Sequence, residues 1–177
     1  MRQGRGNMGP GACIPSTPAS TVDDQSHLRE AIRLAAEHST DGRHGPFGAV
    51  VVLNGEIIGR GWNQVVAASD PTAHAEVMAI RDAGRRLGTH DLSGATIYCS
   101  CEPCPMCLSA IYWARIARVV FAASGADAGE AGFADLGIRE EIQLPAQERR
   151  VSQTQELGEE GRAVLQAWRQ NPKRVPY

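Results

Sequence analysis

Pro103-Cys104-Pro105-Met106-Cys107 ends one apolar, strand-like run and opens a helix, and upstream of it Asp70-Pro71-Thr72-Ala73-His74-Ala75-Glu76-Val77 opens another helix. Between them these stretches supply one imidazole (His74), two thiols (Cys104 and Cys107) and one carboxylate (Glu76). Cys104 and Cys107 are three residues apart, so on a helix they share a face. Three ligands of this kind suit zinc and leave its fourth position to water, whereas a structural zinc is normally closed by four protein ligands. Glu76, two residues from His74, is too close to it to be a comfortable fourth ligand. It is better placed to move protons between a metal-activated water and a substrate. Two other readings compete: a closed site with Cys99 or Cys101 as fourth ligand, and a dithiol redox centre. The second leaves His74-Ala75-Glu76 unexplained.

Working outward, Asp70 reads as a cap and Pro71 as a first-turn residue of a helix over residues 71–87, with Val77, Ile80 and Leu87 as its apolar face. The second metal helix runs over about 104–114, with Pro103 and Pro105 in a turn that needs no N–H. Thiolates at a helix amino end are favoured by its dipole. Apolar runs at 47–53 and 56–62 flank Asn54-Gly55, a strong hairpin signal. Runs at 96–100 and 118–123 read as further strands, and 151–157 as an extended segment. A helix over 22–37 shows Leu28, Ala31, Ile32 and Ala35 on one face. Residues 134–142 read as helical, and 159–170 as a helix with Val164, Leu165 and Trp168 inward. This alternation predicts a three-layer α/β/α fold, with a central mixed sheet of about five strands and helices on both faces. Residues 1–21, rich in Gly, Pro, Ser and Thr, read as a flexible extension, and 22–177 as a single domain.

The chain has 177 residues, 42% hydrophobic and 21% charged, an ordinary globular balance with room for one sizeable core. No apolar run is long enough to span a bilayer, and the amino terminus lacks a secretory pattern. Five cysteines, an odd number, fit a reducing compartment better than a disulfide framework, so the expected location is cytoplasmic. A net charge of −2 gives no electrostatic footprint for nucleic acid and favours a small substrate. His27, His38, His44 and His90 read as surface or loop residues.

The H-x-E…P-C-x-x-C arrangement is the signature of zinc-dependent nucleobase deaminases. Over roughly residues 27–177 the chain resembles the cytidine-deaminase-like superfamily, and within it the bacterial guanine-deaminase branch. The resemblance rests on Gly45-Pro46-Phe47-Gly48-Ala49-Val50, on Asp70-Pro71-Thr72-Ala73-His74-Ala75-Glu76-Val77, on Ser100-Cys101-Glu102-Pro103-Cys104-Pro105-Met106-Cys107, on Ala110-Ile111-Tyr112-Trp113-Ala114-Arg115, on Ala131-Gly132-Phe133-Ala134-Asp135 and on Pro176-Tyr177. It implies one zinc per subunit on His74, Cys104 and Cys107, with Glu76 and Asp135 as catalytic acids. It implies a purine base held by Asn63, Phe47, Ala75 and Trp113. It also implies a homodimer that exchanges carboxy-terminal segments, Tyr177 closing the other subunit's pocket. The branch often carries two acids after Gly-Phe where this chain has Ala134-Asp135; Asp135 aligns with the acid that contacts the base. The residues themselves read less specifically. Asn63 also reads as a strand-end turn residue, Asp135 as a solvated loop acid, and Phe47 and Trp113 as core. Other substrates for the same chemistry are guanosine, an aminotriazine such as ammeline, cytosine, or adenosine in tRNA. A zinc-stabilised binding module is the non-enzymatic alternative, with no need for Glu76.

Overall fold

The computed structural model describes residues 22–133 and 136–176. The expectations for residues 1–21, Asp135 and Tyr177 lie outside the described residues. Helix α1 (Val22–His38) precedes the hairpin β1 (Gly48–Leu53) and β2 (Glu56–Trp62). Next come a short α2 (Val65–Ala68), α3 (Ala75–Leu87), β3 (Thr96–Cys101), α4 (Pro105–Trp113) and β4 (Arg118–Ala123). The chain ends with α5 (Gly125–Glu130), α6 (Leu136–Glu141) and α7 (Gly158–Gln170). The hairpin turns through Asn54 (φ 52°) and Gly55 (φ 82°), both left-handed, which is why Asn-Gly stands there.

Among the described residues the sheet has four strands in the order β2-β1-β3-β4, not about five. The pairs β1–β2 and β1–β3 are antiparallel and β3–β4 is parallel, so the sheet is mixed as expected. Residues 151–157 pair with no strand of this sheet.

Strand period places alternate residues of β1 on opposite faces. Val50 and Val52 pack with Tyr98 against Leu34 of α1. Ala49 and Val51 pack with Ile97 and Cys99 against Ala75, Ala79 and Ala83 of α3. The helices approach unusually closely because two glycines lack a side chain. A Cβ on Gly48 would fall 2.2 Å from the Ala31 carbonyl oxygen, and one on Gly61 2.2 Å from the Ala75 carbonyl oxygen. This contact also corrects the expected face of α3. Its buried residues are Ala75, Glu76, Ala79 and Ala83, whereas Leu87 is exposed, because a helix pressed backbone-first onto a strand has room only for small side chains.

α3 begins at Ala75, not near residue 71. Asp70 accepts hydrogen bonds from the N–H (2.8 Å) and hydroxyl (2.7 Å) of Thr72 and so closes a separate turn ahead of the helix. Asp24, buried on α1, accepts from Tyr98 Oη (2.7 Å) and forms a two-pronged ion pair with Arg118 (2.8 and 2.9 Å), tying α1 to β3 and β4. α7 has the expected helical bounds, but Val164 and Leu165 are about 70% exposed and Trp168 is half exposed. Among the described residues no element covers that apolar face, so it does not point inward against them.

Candidate active site

His74 and Cys104 each occupy the N-cap position of a helix, α3 and α4 respectively, and Pro105 is in the first turn of α4. The two helix starts face each other. His74 Nδ1 is 3.6 Å from Cys104 Sγ and 3.5 Å from Cys107 Sγ. The three donor atoms all lie within 4.8 Å of one another. Tetrahedral zinc, with Zn–S about 2.3 Å and Zn–N about 2.05 Å, sets nitrogen and sulfur about 3.5–3.6 Å apart, so these residues fit the ion. Among the described residues neither Cys99 nor Cys101 belongs to this donor cluster. Burial pushes the Cys99 thiol well above its ordinary range, and Cys101 Sγ donates to the Ser124 carbonyl (3.4 Å). The cluster thus has three donors, as a catalytic zinc site requires.

The two thiols are coupled by a sulfur–sulfur hydrogen bond whose proton belongs to Cys107. The hydrogen bond from Cys107 lowers Cys104 to about 4, and the same bond, with burial, pushes Cys107 far up. A cation that binds both sulfurs displaces that proton. Cys107 is fully buried behind the site, while His74 and Cys104 are half-buried and line a cavity of about 250 Å³.

Glu76, on the first turn of α3, lines the same cavity. Its carboxyl is buried, and desolvation raises its pKa above the ordinary carboxylate range. Asn63 reaches the cavity from the end of β2 and is buried. Its Oδ1 accepts from the N–H groups of Gly45 (3.3 Å) and Val65 (3.2 Å), which fixes the amide orientation. The Nδ2 amino group is then the remaining donor of this side chain on the cavity.

Phe47 lines the cavity and meets Phe133 edge to face, with ring centroids 4.7 Å apart. Trp113 is not beside it. It sits at the far end of α4, 70% exposed, over a groove lined by Val77, Ile80 and Leu92. Six residues past Cys107 is nearly two helical turns, which carries Trp113 away from the metal end. Ala75 is buried between His74 and Glu76 and touches β2 through its carbonyl, without lining the cavity. The structure adds wall residues that sequence reasoning had not assigned to the site: Val65, Val66, Glu102, Ala128 and Phe133. Two of these had a sequence signal: Glu102, beside the Cys104 ligand stretch, and Phe133, in the Ala131-Gly132-Phe133 stretch, where Gly132 turns at φ 93°.

A mixed sheet flanked by helices, with one imidazole and two thiols at two helix starts and a buried acid alongside, defines a zinc-dependent deaminase. The chain belongs to the family of the cytidine and deoxycytidylate deaminase zinc-binding region, whose profile matches residues 21–123. It is 47% identical over 156 residues to the guanine deaminase of Bacillus subtilis, an alignment covering 88% of this chain and 100% of that protein. The crystal structure of a Bacillus subtilis guanine deaminase superposes with a TM-score of 0.83 at 48% identity, covering 86% of this chain and 98% of the other. A tRNA-specific adenosine deaminase of Bacillus subtilis is 42% identical over 111 residues, covering 63% of this chain and 68% of that protein.

Proposed function

We propose that this protein hydrolytically deaminates guanine to xanthine and ammonia. The observation that carries the reading is the extent of the likeness. The match to a guanine deaminase spans that protein's whole length and continues past the zinc region, whereas the match to the adenosine deaminase of the same organism is partial.

His74 and the sulfurs of Cys104 and Cys107 would hold the zinc. When bound, zinc supplies Lewis-acid activation of water for attack at the amidine carbon C2. Glu76 accepts one proton from the attacking water and passes it to the neighbouring ring nitrogen, then takes the second from the hydroxyl on C2 and delivers it to the departing amine, so that ammonia leaves and a carbonyl remains. Its burial beside the donor cluster keeps bulk water from competing for those protons. Asn63 Nδ2 donates to an acceptor on the purine edge, and Phe47 and Phe133 form an apolar wall for the flat base. Asp135, by resemblance, accepts from the base's N–H groups. Ala75 serves through its backbone, and Tyr177 of the partner subunit closes the pocket.

The active form is a homodimer with exchanged carboxy-terminal segments. Three observations support it: the uncovered apolar face of α7, the exposed Val151 and Leu157, and a β4 edge unpaired among the described residues. In the dimer, residues 151–157 have an edge to join, and Trp113 and Trp168 have faces to cover. Light scattering at micromolar concentration then returns twice the chain mass, and a monomer contradicts this. Thiol ligands and buried, unbridged cysteines favour a reducing, cytoplasmic setting.

The function is tested by ammonia release from guanine by zinc-loaded protein, with guanosine, adenine, cytosine and ammeline alongside. Guanine is expected to be the preferred substrate; absence of turnover on guanine overturns the reading.

A further inference from the structure

We propose that Arg139, on α6, is a positioning residue that clamps α5 and the wall residues Ala128 and Phe133 onto the metal-ligand loop. The proposal rests on the guanine-deaminase reading above. Arg139 Nη2 donates to the Pro103 carbonyl oxygen (2.8 Å), the carbonyl directly before the ligand Cys104, and Nη1 is 3.2 Å from Glu102 Oε1. The other oxygen, Glu102 Oε2, accepts the Gly125 N–H (3.0 Å) at the start of α5, and the Glu102 N–H donates to the Ala123 carbonyl (2.8 Å). One guanidinium and one carboxylate therefore join the ligand loop, the first turn of α5 and α6.

Among the described residues, little apolar packing holds this wall. α5 and α6 are six residues each, and neither hydrophobic core cluster includes any residue after 120. Ile138 and Ile142 are exposed, and Phe133, itself 39% exposed, meets Phe47 edge to face. Yet Glu102, Ala128 and Phe133 all line the cavity, and Asp135 immediately precedes α6 in the sequence. Both charged side chains are half-buried, at 26% and 33% exposure, where a charge-assisted pair is less screened than at the open surface. The planar fork matters because its two nitrogens address acceptors on two successive residues. A lysine is a point donor and reaches one of them well.

The test compares the full-length, zinc-loaded parent with Arg139→Ala and Arg139→Lys. Hydrogen exchange over residues 125–142, zinc content, and kcat and KM on guanine are measured on each. For Arg139→Ala, exchange of that segment rises and kcat falls about tenfold or more, because a small misplacement of a reacting group is costly. Zinc content stays at the parent's value, and Arg139→Lys recovers part of both effects. Unchanged exchange, or an unchanged kcat, overturns the clamp, as does a loss of activity that only tracks a loss of zinc. A parent inactive on guanine sinks the functional reading instead, and the exchange comparison still decides whether the clamp exists.

Discussion

Gly61 and Ala75 meet backbone to backbone: a Cβ on the glycine would lie 2.2 Å from the Ala75 carbonyl oxygen and 2.4 Å from the Ala79 nitrogen. Ala75 sits between His74 and Glu76, and Gly61 is two residues before Asn63. The contact therefore sets how far the metal ligand and the acid stand from the substrate-binding amide. Gly61→Ala is expected to cost about 1–3 kcal/mol, as overpacking does, and to lower kcat by shifting α3. Gly161→Ala on α7, where an added Cβ meets nothing within 4 Å, is the control. Differential scanning calorimetry and guanine kinetics on both variants check this. A Gly61→Ala protein as stable and active as its parent contradicts it.

Asn63 offers a sharper test of recognition, since its oxygen is taken by the N–H groups of Gly45 and Val65. Asn63→Asp keeps an oxygen for both N–H groups and replaces the Nδ2 donor with a carboxylate oxygen that repels the same acceptor on the purine edge. The expected result is a loss of about 10- to 100-fold in kcat/KM for guanine, the cost of an unmade hydrogen bond in a buried site. Retained kcat/KM removes Asn63 from substrate recognition.

Asp24 holds the two layers together away from the site. Asp24→Ala leaves Arg118, whose Nε already lacks a partner, without its counter-charge. A loss of about 3 kcal/mol is expected, or a Tm lower by about 6–12 °C. The same cluster gives an alkaline signature. Burial, and then the hydrogen bond to Asp24, raise Tyr98 to about 12 from its ordinary value near 10. The folded state therefore keeps this proton where the unfolded chain releases it. The contribution is complete below pH 10 and disappears as pH rises from 10 towards 12. Urea denaturation across that window checks the slope, which Tyr98→Phe is expected to flatten.

Much of this architecture was legible because local signals agreed. Asn54-Gly55 dictated the hairpin, and the period of Leu28, Ala31 and Ala35 gave α1. The residue types of His74, Cys104 and Cys107 named a zinc site before any distance was known. Three readings went astray for physical reasons. Asp70-Pro71 resembled a helix start, but the Asp70 side chain is spent on Thr72. Leu87 was read into the buried face of α3 with Val77 and Ile80, yet only Ile80 packs against the core, at its edge, while glycines on β2 select alanines at the centre, and a glycine's role as a contact surface leaves no hydrophobic trace. Val164, Leu165 and Trp168 were expected inward because periodicity shows which face is apolar without showing which chain covers it. Arg139 carried no signal at all, since its acceptors lie 36 and 37 residues earlier in the sequence.

The central claim is that Glu76 transfers protons beside a three-donor zinc centre without holding the metal. It is tested most directly by turnover per bound zinc in Glu76→Gln, measured on one sample by metal analysis and ammonia release. The account predicts zinc content equal to the parent's with turnover reduced by about 10²-fold or more. Full turnover per zinc, or zinc lost together with the carboxylate, would contradict it.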